Sequence, residues 1–173
     1  MQGYNSSAMP ILDSHSLEFF SKSPEQTRRI GMRLGSVLKK GDVLCLQGDL
    51  GAGKTTFVQG IAQGWGSLDS VSSPTFIIVN MYRRADEAQL FHLDTYRLES
   101  QPEAEELDLD SMLNEGALIV EWPERLGNLI PEERLWIKFD HVSDEQRLMS
   151  FNANGSRYDG LLDDIRQSMF GGG

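Results

Sequence analysis

The sequence predicts an α/β protein: a mixed β-sheet flanked by helices, with an antiparallel insertion. Three observations carry this. Short apolar runs, residues 43–47 and 117–121, read as strands buried on both faces. Amphipathic helical patterns precede and follow the first of them. Between that strand and the second helix lies Gly48-Asp49-Leu50-Gly51-Ala52-Gly53-Lys54-Thr55-Thr56, which has the spacing of a phosphate-binding P-loop. Together these make the sheet P-loop NTPase-like, with its ligand expected at the carboxyl ends of the strands.

Taken in order, residues 14–20 alternate Leu17 and Phe19 and read as a short edge strand. Ser23 is a good N-cap, Pro24 suits the first helical position and Gln26 completes a capping box. Ile30, Leu34, Val37 and Leu38 follow at helical spacing, and Gly41 is expected to end the helix. After strand 43–47 and the P-loop, Phe57, Val58, Ile61, Ala62 and Trp65 give a second helix stopping near Gly64 and Gly66. Residues 67–73 lack periodicity and read as a loop leading to Ser73-Pro74-Thr75-Phe76 and a strand through Ile77, Ile78, Val79 and Tyr82. A polar turn at 83–87 and the return strand 90–94 suggest a hairpin. Helical turns are expected at 102–107 and 110–114, strands at 134–140 and 148–151, and a C-terminal amphipathic helix over 158–169 after the Asn154-Gly155 turn.

At 173 residues the chain suits one domain, read as 11–170 with flexible ends at 1–10 and 171–173. A net charge of −10 argues against a protein that coats nucleic acid by itself. The single cysteine, Cys45, rules out an internal disulfide and a zinc-finger cluster, and reads as a small core residue. No apolar run approaches membrane-spanning length, and residues 1–10 carry no Lys or Arg and no apolar core of a secretory signal. The expectation is a soluble, cytoplasmic protein.

The loop's residues have physical reasons to be there. Glycines 48, 51 and 53 open backbone angles that let successive N–H groups, from Asp49 to Thr56, cradle an anion at the positive end of the following helix. Lys54 can reach the β- and γ-phosphates of a nucleoside triphosphate, and the Thr55 hydroxyl can sit on Mg²⁺. The metal's acid should end a buried strand. Glu121 has the better strand signature and is assigned to Mg²⁺, directly or through water. Asp94 ends the other strand, to hold the metal's water shell or orient the attacking water. On spacing alone Thr75 reads equally as a γ-phosphate sensor and as a threonine starting a strand. His92, flanked by apolar residues, reads as packed rather than a ligand. Trp122 is open between core, partner and adenine contact.

With these residues in hand, the chain resembles the TsaE (YjeE) family. The resemblance rests on the P-loop, Ser73-Pro74-Thr75-Phe76, His92-Leu93-Asp94-Thr95-Tyr96-Arg97-Leu98 and Glu121-Trp122-Pro123-Glu124, in order and at the family's intervals from about residue 19 to 126. It implies a P-loop ATPase of tRNA threonylcarbamoyladenosine synthesis that acts on a TsaB–TsaD complex and reaches tRNA only through it. Carried over by position, Lys54 and Thr55 would hold phosphates and Mg²⁺, and Glu121 would ligand the metal. Asp94 and Trp122 match positions tied to hydrolysis and function, and Thr75 matches a switch-like threonine. Arg147 falls near a family arginine. Two other classes compete: a small P-loop metabolite kinase, for which no arginine cluster supplies a lid, and a nucleotide-sensing regulatory module.

Overall fold

The computed structural model describes residues 13–49, 51–71 and 78–170. The expected flexible ends, Leu50 of the glycine loop and the Ser73-Pro74-Thr75-Phe76 segment lie outside them. Strand β1 (Ser16–Ser21) leads to α1 (Pro24–Val37), β2 (Val43–Gln47) and α2 (Lys54–Trp65). The hairpin strands β3 (Val79–Arg83) and β4 (Gln89–Asp94) precede two short helices, α3 (Gln101–Glu105) and α4 (Leu109–Glu115). Then come β5 (Gly116–Glu121), β6 (Arg134–His141), β7 (Arg147–Asn154) and α5 (Ser156–Phe170).

The seven strands form one sheet in the order β1-β7-β6-β2-β5-β4-β3. The middle four, β6, β2, β5 and β4, are parallel, and β1, β7 and β3 are added antiparallel. The hairpin is present, but β4 itself runs parallel to β5, so only β3 is the antiparallel addition on that side. This register matters for the site: Leu46 and Asp94 both lie opposite Glu121, so the ends of β2, β4 and β5 come abreast.

Period-2 alternation sends side chains of each strand to opposite faces. Leu44, Leu46, Leu90, Ala117, Ile119, Leu135 and Ile137 face α1, α2 and α5. Val43, Cys45, Leu93, Leu118 and Val120 face α3, α4 and the turns around Leu126 and Ile130. Cys45 is a buried core residue as expected, its thiol pushed up to about 12 by desolvation. Among the described residues no helix is long and apolar enough to cross a membrane.

Local signals set the helix ends, with two corrections. Ser23 caps α1 by accepting from the Gln26 N–H at 3.2 Å, but the Gln26 side chain accepts from Lys22 N–H, one residue before the cap, at 2.8 Å. α1 also ends at Val37, where the Leu38 N–H closes onto the Gly35 carbonyl. Gly41, at φ +92°, instead turns the chain into β2 and donates to the Gly116 carbonyl. The end of α2 is as read, with Gly66 at φ +99° donating to the carbonyls of Ala62 and Gln63.

Candidate functional site

The glycine loop links β2 to α2 at the carboxyl end of the parallel strands. Gly53 occupies the N-cap of α2 at φ +103°, a conformation that a side chain would strain. No side chain caps this helix, whose start carries the positive end of its dipole. Thr55 and Thr56 sit half-buried in that turn.

Lys54 is only 4% exposed, and its ammonium donates to the Gly48 carbonyl at 2.6 Å. It also lies 4.1 Å from the centre of the Trp122 ring. Burial lowers the Lys54 pKa, and the carboxylates of Glu121, Asp94, Glu124 and Asp49 oppose that shift in decreasing order. One buried cation is therefore held among four acids.

Glu121 ends β5 and is buried. Its Oε2 accepts from His92 Nε2 at 2.6 Å. Asp94, its register partner on β4, accepts the Tyr96 N–H at 2.9 Å. Burial raises the Asp94 pKa, and the neighbouring Glu121 charge adds to the rise. The site thus pairs a lysine at a helix start with two strand-end carboxylates, a donor set suited to an anion and a hard divalent cation together.

The family model described as threonylcarbamoyl adenosine biosynthesis protein TsaE matches residues 21–149. The chain is 40% identical to the tRNA threonylcarbamoyladenosine biosynthesis protein TsaE of Bacillus subtilis, over 86% of this chain and 93% of that one. Against the Streptomyces coelicolor protein of the same name it is 38% identical, over 76% and 93%. The crystal structure of Bacillus subtilis YdiB superimposes with a TM-score of 0.73 at 34% identity, covering 89% of this chain and 96% of that one. The chain belongs to the TsaE family. Its sheet is the P-loop-like α/β fold expected from the sequence.

Within this TsaE chain, Lys54, Asp94 and Glu121 lie together at the strand ends, while Leu50 and Thr75 lie outside the described residues. Trp122 is half-buried beside Lys54 and Tyr96, its ring 4.8 Å from that of Tyr96, so it belongs to the site rather than to either core cluster. Arg147, the first residue of β7, spends its guanidinium on backbone: Nε donates to Ala52 O and Nη2 to Gly51 O, each at 2.9 Å, and Nη1 to the carbonyls of Ser143 and Gln146. It braces the glycine loop. Arg97 is exposed.

Two contributors escaped the sequence reading. Thr95 is fully buried, and its hydroxyl donates to the carbonyls of Glu121 and Trp122. It thereby pins the backbone where Trp122 takes φ +59°, costly for a bulky residue. His92 is packed, as read, but between Tyr82 and Glu121. The signal was available: positions 92 and 94 share a face of β4, so a histidine two before a site carboxylate points the same way.

Proposed function

We propose that this protein binds and hydrolyses Mg-ATP to support transfer of the threonylcarbamoyl group to tRNA, acting on a TsaB–TsaD complex. The observation that carries the reading is the convergence of buried Lys54 with Asp94 and Glu121 at the uncapped start of α2. TsaE-family membership supplies the pathway.

The donor set fits a magnesium ion. Thr55 lies in the first turn of α2, and Glu121 has one oxygen engaged by His92 while Oε1 takes no hydrogen bond among the described residues. Thr55 and Glu121 would hold the metal, which when bound neutralises charge on the phosphate oxygens. Lys54 would exchange the Gly48 carbonyl and the Trp122 face for the terminal phosphates. Backbone N–H groups at the start of α2, which no side chain caps, would hold the remaining phosphate charge. Asp94 would orient the attacking water and take its proton as the bond from γ-phosphorus to ADP breaks, leaving ADP and phosphate. The raised Asp94 pKa suits proton acceptance better than an exposed carboxylate would. Arg147 is committed to carbonyls, so it offers no free finger for the transition state. Hydrolysis by the protein alone is therefore slow and is completed or gated by the partner complex.

The test is multi-turnover threonylcarbamoylation of tRNA with reconstituted partners. Lys54→Ala and Glu121→Ala should each abolish repeated turnover, and activity equal to wild type in either would overturn the proposal.

A further inference from the structure

Tyr82, His92 and Glu121 form a buried line of hydrogen bonds reaching the site from the hairpin. The Tyr82 hydroxyl is 2.9 Å from His92 Nδ1, and His92 Nε2 is 2.6 Å from Glu121 Oε2. Tyr82 and His92 are 3% and 1% exposed. Asn80, two residues before Tyr82 on β3, is the register partner of His92.

The direction of the line follows from what each group can do. A carboxylate only accepts, so His92 Nε2 carries the proton and donates to Glu121. In the neutral imidazole Nδ1 then accepts, and the Tyr82 hydroxyl donates to it. Each bond sets the next, and the last one ties down one oxygen of Glu121. A carboxylate at a strand end has freedom in its last torsions; a single short bond from a buried ring restricts it. Apolar packing alone does not call for a histidine here: Leu90 and Ile119 beside it on this face are apolar, whereas Tyr82 and Glu121 are the polar groups it joins.

We propose that His92 is a positioning residue for Glu121, held in its Nε2–H tautomer by Tyr82, so that Oε1 of Glu121 is presented to the divalent cation that accompanies the nucleotide. This deepens the proposed function and rests on it. Sheet geometry explains why the hairpin is the source. Among the described residues β3 is an edge strand paired only with β4, and Tyr82 carries its side chain over β4 to reach the ring. The hairpin thereby contributes to metal binding without touching the metal.

The experiment measures binding of a non-hydrolysable ATP analogue by calorimetry, once with Mn²⁺ and once with EDTA. The ratio of the two affinities is the metal's contribution. His92→Leu should cut that ratio about tenfold to a hundredfold, as is usual for partners of metal ligands, and leave binding in EDTA unchanged. His92→Gln, which keeps a donor at the ε position, should recover most of it. Tyr82→Phe should give a smaller loss. Nitrogen NMR of the wild type should show His92 protonated at Nε2 and bare at Nδ1. A folded His92→Leu with an unchanged ratio, while Glu121→Gln collapses it, would overturn the positioning role and leave the proposed function standing. An unchanged ratio in Glu121→Gln would overturn the metal assignment of Glu121, and the inference with it. Should His92→Leu not fold, Tyr82→Phe and the tautomer decide: a ring protonated at Nδ1, or Tyr82→Phe with a wild-type ratio, overturns the proposal.

Discussion

Asp94 is the residue at which stability and the proposed activity oppose each other. Desolvation and the Glu121 charge raise its pKa, so the folded chain holds the ionised form at a cost that the unfolded chain avoids. Asp94→Asn removes that charge and keeps the oxygen that accepts the Tyr96 N–H. At pH 7 the variant should therefore be more stable than wild type. As pH falls through the raised folded-state value the native carboxyl takes up its proton, and the variant's advantage shrinks until it is lost below the unfolded value near 3.8. Urea denaturation of both proteins at pH 7 and near pH 4 checks the sign; an advantage that grew toward acid would contradict it. ATP hydrolysis by the same variant should drop about 10²–10⁴-fold, the usual worth of a positioned base. Single residues were legible where chemistry imposes a spacing, as at Lys54 and Thr55, or where an apolar run ends in an acid, as at Glu121. Thr95 was not, and for His92 only its shared face with Asp94 could be read, because their partner Glu121 depends on which strand lies beside β4, and register is not local information.

At the scale of elements, glycines bring the backbones of α1 and α2 into close approach. Gly31 and Gly35 on α1 face Gly60 and Gly64 on α2. A Cβ on Gly35 would stand 2.0 Å from the Ile61 carbonyl oxygen, and one on Gly64 would stand 2.0 Å from that of Met32. These neighbours are main chain and cannot swing aside, so the helices would have to separate. Gly64→Ala should destabilise the protein by about 1–3 kcal/mol, although alanine is the better helix former by about 1 kcal/mol. Gly160→Ala on the exposed side of α5, where a Cβ meets nothing within 4 Å, isolates the propensity effect and should stabilise by up to about 1 kcal/mol. Equal effects of the two substitutions on the urea midpoint would refute close packing of α1 on α2. The helices themselves were legible from caps and apolar spacing. Their closeness was not: a glycine four residues from another shows a narrow face, not what lies on it, and Gly64 read only as a stop signal.

At the scale of the whole molecule, the parallel centre of the sheet builds the site and the antiparallel flank braces it from outside. The class of fold could be read from buried runs alternating with helices. The order could not, because β6 joins β2 across a long sequence separation and β1 pairs with β7 near the far end of the chain. Arg147 is where this long-range topology meets the glycine loop. It opens β7, and its guanidinium clamps the carbonyls of Gly51 and Ala52 to the β6–β7 turn at Ser143 and Gln146, while its stem lies beside Gly53. Arg147→Met keeps the stem and all the strand pairings of β7 but drops these bonds. The chain should remain folded by circular dichroism. Nucleotide affinity should fall about tenfold to a hundredfold, because a charged donor's bonds are worth about 1.5–3 kcal/mol and about 1.4 kcal/mol is a factor of ten. The pattern across ligands is the sharper measurement. If the arginine acts by shaping the loop, ADP and a non-hydrolysable ATP analogue lose affinity by the same factor, since both lie in the same cradle. A guanidinium reaching the terminal phosphate would instead penalise the triphosphate and spare ADP. With three of its nitrogens already held by carbonyls, the equal loss is the expected result.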